Sequence, residues 1–210
     1  MTKTTRKNQT VKAFQTMLAN IEKTDGYYIR IERQMIGAVN NRGENLTCEQ
    51  VKEYCNRYLH IIGRGLSKIA YGMDNIVICF NSKNIINQVK NQVEFWSKIA
   101  LTDDAEYFNP VLSYGLHRGD KLYKNDNRYI DKSFIVSQKA EVFETIEECI
   151  RNMFIFNKTA FDGRDVANYK RRLEAVAKRN NIADVKSNNV GLIFDYSKGE
   201  YKTVFIDYAI

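Results

Sequence analysis

Proline is nearly absent, with Pro110 alone in 210 residues. Histidine is scarce, limited to His60 and His117. The four cysteines, Cys48, Cys55, Cys79 and Cys149, form no C-x-x-C pair, and with two histidines they complete no metal set. That argues against a structural zinc. No apolar run approaches the roughly 18 residues of a membrane span. The first ten residues, MTKTTRKNQT, are basic but lack the apolar stretch of a signal peptide. These absences predict a cytoplasmic protein with reduced, mostly buried thiols and no membrane among its partners.

What is present suits a folded chain. Hydrophobic residues make up 44% and aromatics 12%, enough for a core and too much for disorder. The length fits one domain, or one with an appendage. The net charge of +7 reads first as a solvated basic surface. An anionic partner is the second reading: nucleotide phosphates, an acidic protein or nucleic acid. A nucleic-acid binder predicts aromatic and basic residues clustered on one face. No such motif is visible, which argues against nucleic acid.

Periodicity divides the chain. Thr10 opens a helical stripe of Val11, Phe14, Leu18 and Ile21, broken at Asp25-Gly26. Tyr28, Ile31, Met35, Ile36 and Val39 suggest a second helix, although YYIRI also reads as a strand. Thr47 and Gln50 form a capping box before a third stripe that includes Val51, Cys55 and Leu59. Strands are expected over 59–65, 67–73 and 75–81, then a helix over 83–100 carrying Ile86, Val89, Val93, Trp96 and Ala100. FNPVLSYG reads as a fourth strand and, after a polar loop over 116–132, SFIVSQKAEVF, 133–143, begins as a buried fifth strand and then turns polar. Thr145 caps one further helix and Asp165 the next. The basic residues of the latter, Lys170, Arg171, Arg172, Lys178 and Arg179, are most simply a solvated face; docking of acidic targets is the lesser alternative.

Three stretches carry chemistry. In IGRGLSKIAYGMDNIVICF, Gly63 and Gly65 allow close backbone approach to a ligand, and freed N–H groups there can cradle phosphate. Two glycines in a hairpin are also common without any ligand. Asp184 and Asn189, in ADVKSNN, stand five residues apart. An Asn/Ser-rich turn is the plain alternative. Asp207 closes an apolar strand, VFIDYA, where a lone buried carboxylate is costly.

A glycine loop, D-x-x-x-x-N and a late strand-end Asp, in that order, resemble the protein kinase superfamily over roughly residues 59–210. The third strand carries Cys79 where that family has lysine. Gly63-Arg64-Gly65, Lys68, Tyr71 and Cys79 resemble the with-no-lysine kinases, whose lysine comes from the second strand. Lys68 shares a strand face with Ala70, the position that lines the adenine pocket. The small early kinases of bacteriophages are similar in coarse outline. Abundant Asn and Lys fit an AT-rich genome, such as that of a phage or a low-GC bacterium.

The resemblance implies an α+β, protein-kinase-like fold. An N-terminal helical extension (1–58) precedes a five-stranded small lobe (59–140) and a reduced helical C-terminal lobe (141–210). It implies an ATP- and Mg²⁺-dependent protein kinase acting on Ser/Thr of a protein, plausibly phage-encoded with host targets. The alternative is a pseudokinase that sequesters a partner protein without catalysis. Asp184 is expected to orient the acceptor hydroxyl, Lys68 to hold phosphates and Lys186 to steady the γ-phosphate. Gly63, Gly65, Ala70, Val77 and Glu94 are expected around the nucleotide, with Ser137, Lys139 and Glu141 in the linker that holds the adenine edge. The plain alternative for Glu94 is a solvent-facing residue beside Lys90 and Lys98. Asn189 and Asp207 are expected to bind the metal. Tyr208 and Ala209 replace the Phe and Gly of D-F-G, and Ile182-Ala183 the His-Arg before Asp184. The sequence given stops before any activation segment, so regulation by a phosphorylated activation loop is not expected.

Overall fold

The structure, a computed structural model, describes residues 48–65, 68–73, 75–82, 88–116, 120–121, 129–130, 133–183 and 185–208. The helices expected before residue 40 lie outside these. Among the described residues the protein is α+β, with four α-helices and a five-stranded antiparallel sheet. The chain divides into two compact units. One comprises described residues up to Glu94 with Val111–Lys139; the other comprises Phe95–Pro110 and the residues from Ala140.

The first unit is built on the sheet. Helix α1 (Cys48–Tyr58) leads into β1 (His60–Arg64), β2 (Lys68–Met73) and β3 (Ile76–Asn81). Helix α2 (Gln88–Ile99) follows, belonging to this unit as far as Glu94, and the unit resumes at β4 (Val111–Gly115). Two-residue strands β5 (Asp120–Lys121) and β6 (Tyr129–Ile130) pair with each other, and β7 (Phe134–Gln138) completes the sheet. The strand order is β1-β2-β3-β7-β4.

Alternation decides which residues are buried. Successive strand side chains point to opposite faces. Ile76, Ile78 and Phe80 of β3 therefore join Tyr71 of β2 and Phe134 and Val136 of β7 on one face. Cys48, Val51 and Cys55 of α1 cover that face, and all nine side chains form one buried cluster. Burying each large apolar side chain is worth about 1.5–3 kcal/mol. Burial pushes the Cys55 thiol up to about 12, so it behaves as a core hydrophobe. All four cysteines are free, and all but Cys79 are buried. The opposite face, with Ala70, Val77 and Cys79, is only half-buried.

Gly115 of β4 meets α1 closely. A Cβ there would stand 2.4 Å from Phe134 Cε1 and 3.0 Å from Cys48 Sγ. Gly115→Ala should therefore lower the unfolding free energy by about 1–3 kcal/mol, read by denaturant titration.

The second unit packs helices α3 (Ile146–Phe156) and α4 (Gly163–Arg179) with the hairpin of β8 (Val190–Asp195) and β9 (Glu200–Phe205). Thr145 caps α3 as expected, accepting from the Glu148 N–H at 3.1 Å. The cap of α4 is Asp162 rather than Asp165. Asp162 accepts from the N–H groups of Arg164 and Asp165, and Asp165 returns a bond to the Asp162 N–H. Asn157 locks the end of α3 to β9 by accepting from the Tyr201 N–H at 2.7 Å and donating to its C=O at 2.8 Å.

Asp104, in a 3-10 turn over Asp103–Tyr107, accepts from the Arg179 guanidinium at the end of α4 and from the Asn180 amide. The Arg179 hydrogen bond holds its carboxyl below the usual carboxylate range, although partial burial opposes this. A lowered folded-state pKa stabilises above the unfolded value, roughly 3.9. That contribution is lost as pH falls through the folded value. Asp104→Asn should lower the thermal midpoint at pH 7. The gap to the parent protein should narrow from about pH 4 downward.

Candidate functional site

The sheet face opposite α1 collects Gly63, Lys68, Ala70, Val77 and Ser137 of the expected residues, but not Glu94 or Lys139. Gly63 lies opposite Ala70, with its absent Cβ 3.8 Å from the Ala70 methyl. Across the strands Ala70 pairs with Cys79, Gly72 with Val77, and Val77 with Ser137. Lys68 pairs with Asn81 at one end of the same face. The Asn81 side chain accepts from the Val89 N–H at 2.9 Å, tying β3 to the first turns of α2. Cys79 occupies the third-strand position and Lys68 lies on the second strand, one row along the same face.

The helix residue that meets Lys68 is not Glu94. The Lys68 ammonium donates to Oε1 of Gln92, a side chain only 1% exposed. Glu94 is exposed and pairs with Lys90 at 3.7 Å. The reason is rotational. Residues two apart on a helix point about 200° apart, and Val89, Gln92, Val93 and Trp96 together form the buried stripe of α2. That stripe was a usable signal, since Gln92 sits at i+3 from Val89.

A second residue escaped the sequence reading. Ile62, just before Gly63, is 48% exposed. A β-bulge between Ile61 and Gly63 shifts the register, and a Cβ on Gly72 would stand 2.7 Å from Ile62 Cγ2. Ile62 thus covers Gly72 and adds an apolar surface to this face. Strict alternation hides it; only the bulge reveals it.

Some main-chain groups expected to receive ligand are engaged. The Gly65 N–H donates to the Lys68 C=O at 2.9 Å, closing the hairpin. The Lys139 N–H donates to Asn75 C=O at 2.8 Å. Glu141 exchanges both main-chain bonds with Leu192, at 3.0 and 2.8 Å. Ser137 behaves differently. It is 4% exposed, and its hydroxyl has no hydrogen-bond partner among the described residues.

In the second unit, Asp184 lies outside the described residues. Lys186 is exposed and precedes a 3-10 turn over Ser187–Asn189. The Asn189 C=O accepts from the Ile206 N–H at 2.9 Å, extending the β8–β9 register by one pair. Asn189 therefore stands opposite Ile206, the residue before Asp207, at one end of the hairpin. Asp207 is half-buried. After it, Tyr208 is buried among Phe95 and Phe108, with ring centroids at 5.3 and 5.1 Å, and donates to the Asn109 C=O at 2.7 Å. An amide oxygen and a carboxylate are hard ligands suited to Mg²⁺, which uses one or two carboxylates beside waters and phosphate oxygens. Among the described residues no three His, Cys, Asp or Glu side chains group as a metal cluster.

A scan of the chain against protein-family models gives no match, and a search of curated proteins gives none. No described helix is long and apolar enough to cross a membrane. Of the α4 cations noted in the sequence, Lys170 pairs with Glu147 at 2.6 Å and Arg179 with Asp104. Arg171, Arg172 and Lys178 are exposed, as a solvated face requires.

The Lys68–Gln92 contact is open to test. A hydrogen bond to a charged group is worth about 1.5–3 kcal/mol. Gln92→Leu keeps the volume but removes the acceptor, so denaturant unfolding should show a loss of about that size.

Proposed function

We propose that the protein is an ATP- and Mg²⁺-dependent phosphotransferase of the protein-kinase kind, acting on Ser/Thr hydroxyls of a protein. The observation that carries this reading is the Asn189–Ile206 main-chain bond, which sets Asn189 opposite the residue before Asp207 at one end of the β8–β9 hairpin. The placement of Lys68 on the same face as Ala70, Val77 and Cys79 supports it. So does a helix after β3 that reaches Lys68 through Gln92.

In this reading Lys68 holds the α- and β-phosphates, and Lys186 steadies the γ-phosphate. Asn189 and Asp207 hold Mg²⁺, which neutralises charge on the phosphate oxygens. Asp184 orients the acceptor hydroxyl and takes its proton as the acceptor oxygen bonds to the γ-phosphorus. The bond from that phosphorus to the β–γ bridging oxygen breaks, and ADP leaves. A phage-encoded enzyme acting on host proteins in the cytoplasm fits the composition.

A second reading is a pseudokinase that binds nucleotide and sequesters a partner protein. One observation favours it: the Gly65 N–H is engaged within the hairpin.

Purified protein incubated with γ-labelled ATP, Mg²⁺ and lysate distinguishes the two. Label should reach a protein acceptor, and Lys68→Met and Asp207→Ala should each reduce transfer about a hundredfold or more. Transfer that survives Lys68→Met would falsify the assignment of the phosphate-binding ammonium. ATP binding with no transfer supports the pseudokinase. Label passing only from the α-position identifies adenylyl transfer instead.

A further inference from the structure

Helix α4 carries six cations, Arg164, Lys170, Arg171, Arg172, Lys178 and Arg179, against two acids, Asp165 and Glu174. They are spread unevenly around it. Its buried stripe includes Val166, Leu173 and Val176. At about 100° per residue, Leu173 points about 180° away from Arg164. Residues seven apart return to within about 20° of one direction. Arg164, Arg171 and Lys178 therefore form one row along the crown of the helix, opposite the buried stripe, with steps of about 10 Å. All three are exposed.

The acids are engaged off the crown. Asp165 is spent on the cap, accepting from the Asp162 N–H at 2.9 Å. Lys170 is held above its usual range by its hydrogen bond to Glu147 and, more weakly, by the charge of Glu174. Asp104 takes the charge of Arg179. Among the described residues no carboxylate forms an ion pair with a crown cation, and Arg171 donates to the neutral Asn168 amide oxygen at 2.5 Å. Arg164 stands in the first turn, where the helix dipole disfavours a cation. A solvated face does not call for a cation there.

We propose that the Arg164–Arg171–Lys178 row docks an acidic α-helical segment of another protein, whose carboxylates repeat every seven residues. A second helix with that repeat also presents its charges in one row. Asn168 and Ala175, which lie between the cations, are small enough to let such a helix approach closely. The row holds no aromatic ring and no apolar side chain larger than alanine. Single-stranded nucleic acid takes stacking rings as well as cations, and a lipid surface takes an apolar helix face. A second copy of the chain carries the same net charge of +7 and is repelled. The inference does not rest on the phosphotransfer reading.

Fluorescence anisotropy tests this with the full chain and two labelled helical peptides of equal composition, built from alanine, glutamine and glutamate. One carries its glutamates at every seventh position. The other carries them at every fifth, which scatters them around the helix. The parent protein should prefer the first by about tenfold, the size expected of three exposed ion pairs. Arg164→Gln, Arg171→Gln and Lys178→Gln combined should abolish the preference. Lys90→Gln, Lys98→Gln and Lys158→Gln combined remove the same charge from other exposed positions and should leave it unchanged. Arg164→Gln alone should weaken binding of the first peptide about twofold. It should not lower the thermal midpoint, since it takes a cation from the positive end of the helix, so its weaker binding is not lost folding. Equal binding of the two peptides, binding of neither, or an equal loss in both triple variants overturns the proposal. So does tighter binding of duplex DNA or of phosphatidylserine vesicles that disappears in the crown variant, which assigns the row to nucleic acid or to a membrane.

Discussion

The pleat of β2 and β3 sorts the sheet residues onto two faces, and α1 seals one of them. Ile76, Ile78, Phe80 and Tyr71 go under the helix together because their spacing is two. Their neighbours Val77, Cys79 and Ala70 are thereby committed to the other face, beside Lys68. A one-residue slip would exchange the two sets and bury an ammonium against α1. Fixing the core thus fixes the opposite face, and the tight approach at Gly115 pins the helix that enforces it.

The second unit orders its polar residues by a different device. Asp207 has an anchored residue on each side. Ile206 continues the hairpin ladder by bonding Asn189, and Tyr208 is held by aromatic packing and by the Asn109 carbonyl. The carboxylate therefore sits on backbone anchored from both sides. Preorganisation of this kind suits chemistry in which positioning and electrostatics matter more than bond-making by the protein.

Much of this was legible locally. Period-two patterning located β1, β2 and β3 to within a residue or two at each end, and it placed Lys68 with Ala70. Helical spacing found the stripe of Val51 and Cys55, and Thr145 announced its helix through a side chain that reaches only three residues ahead. The misassignments have a common origin. Asp165 and Asp162 are both good caps in isolation, and the helix start selects between them. Glu94 has the right charge for Lys68, yet helix rotation presents Gln92.

What the sequence alone determined was periodicity, and with it the strands, the helices and the half of each element that faces a core. These depend on neighbours within a few positions, where the backbone repeat is fixed. Tertiary structure decided which partner each polar group meets. The bulge that turns Ile62 outward, the carbonyl that engages the Gly65 amide and the absence of a partner for Ser137 all depend on groups brought together from other strands. Such pairings follow from register and helix rotation, which are set by packing the whole unit and leave no local pattern to read.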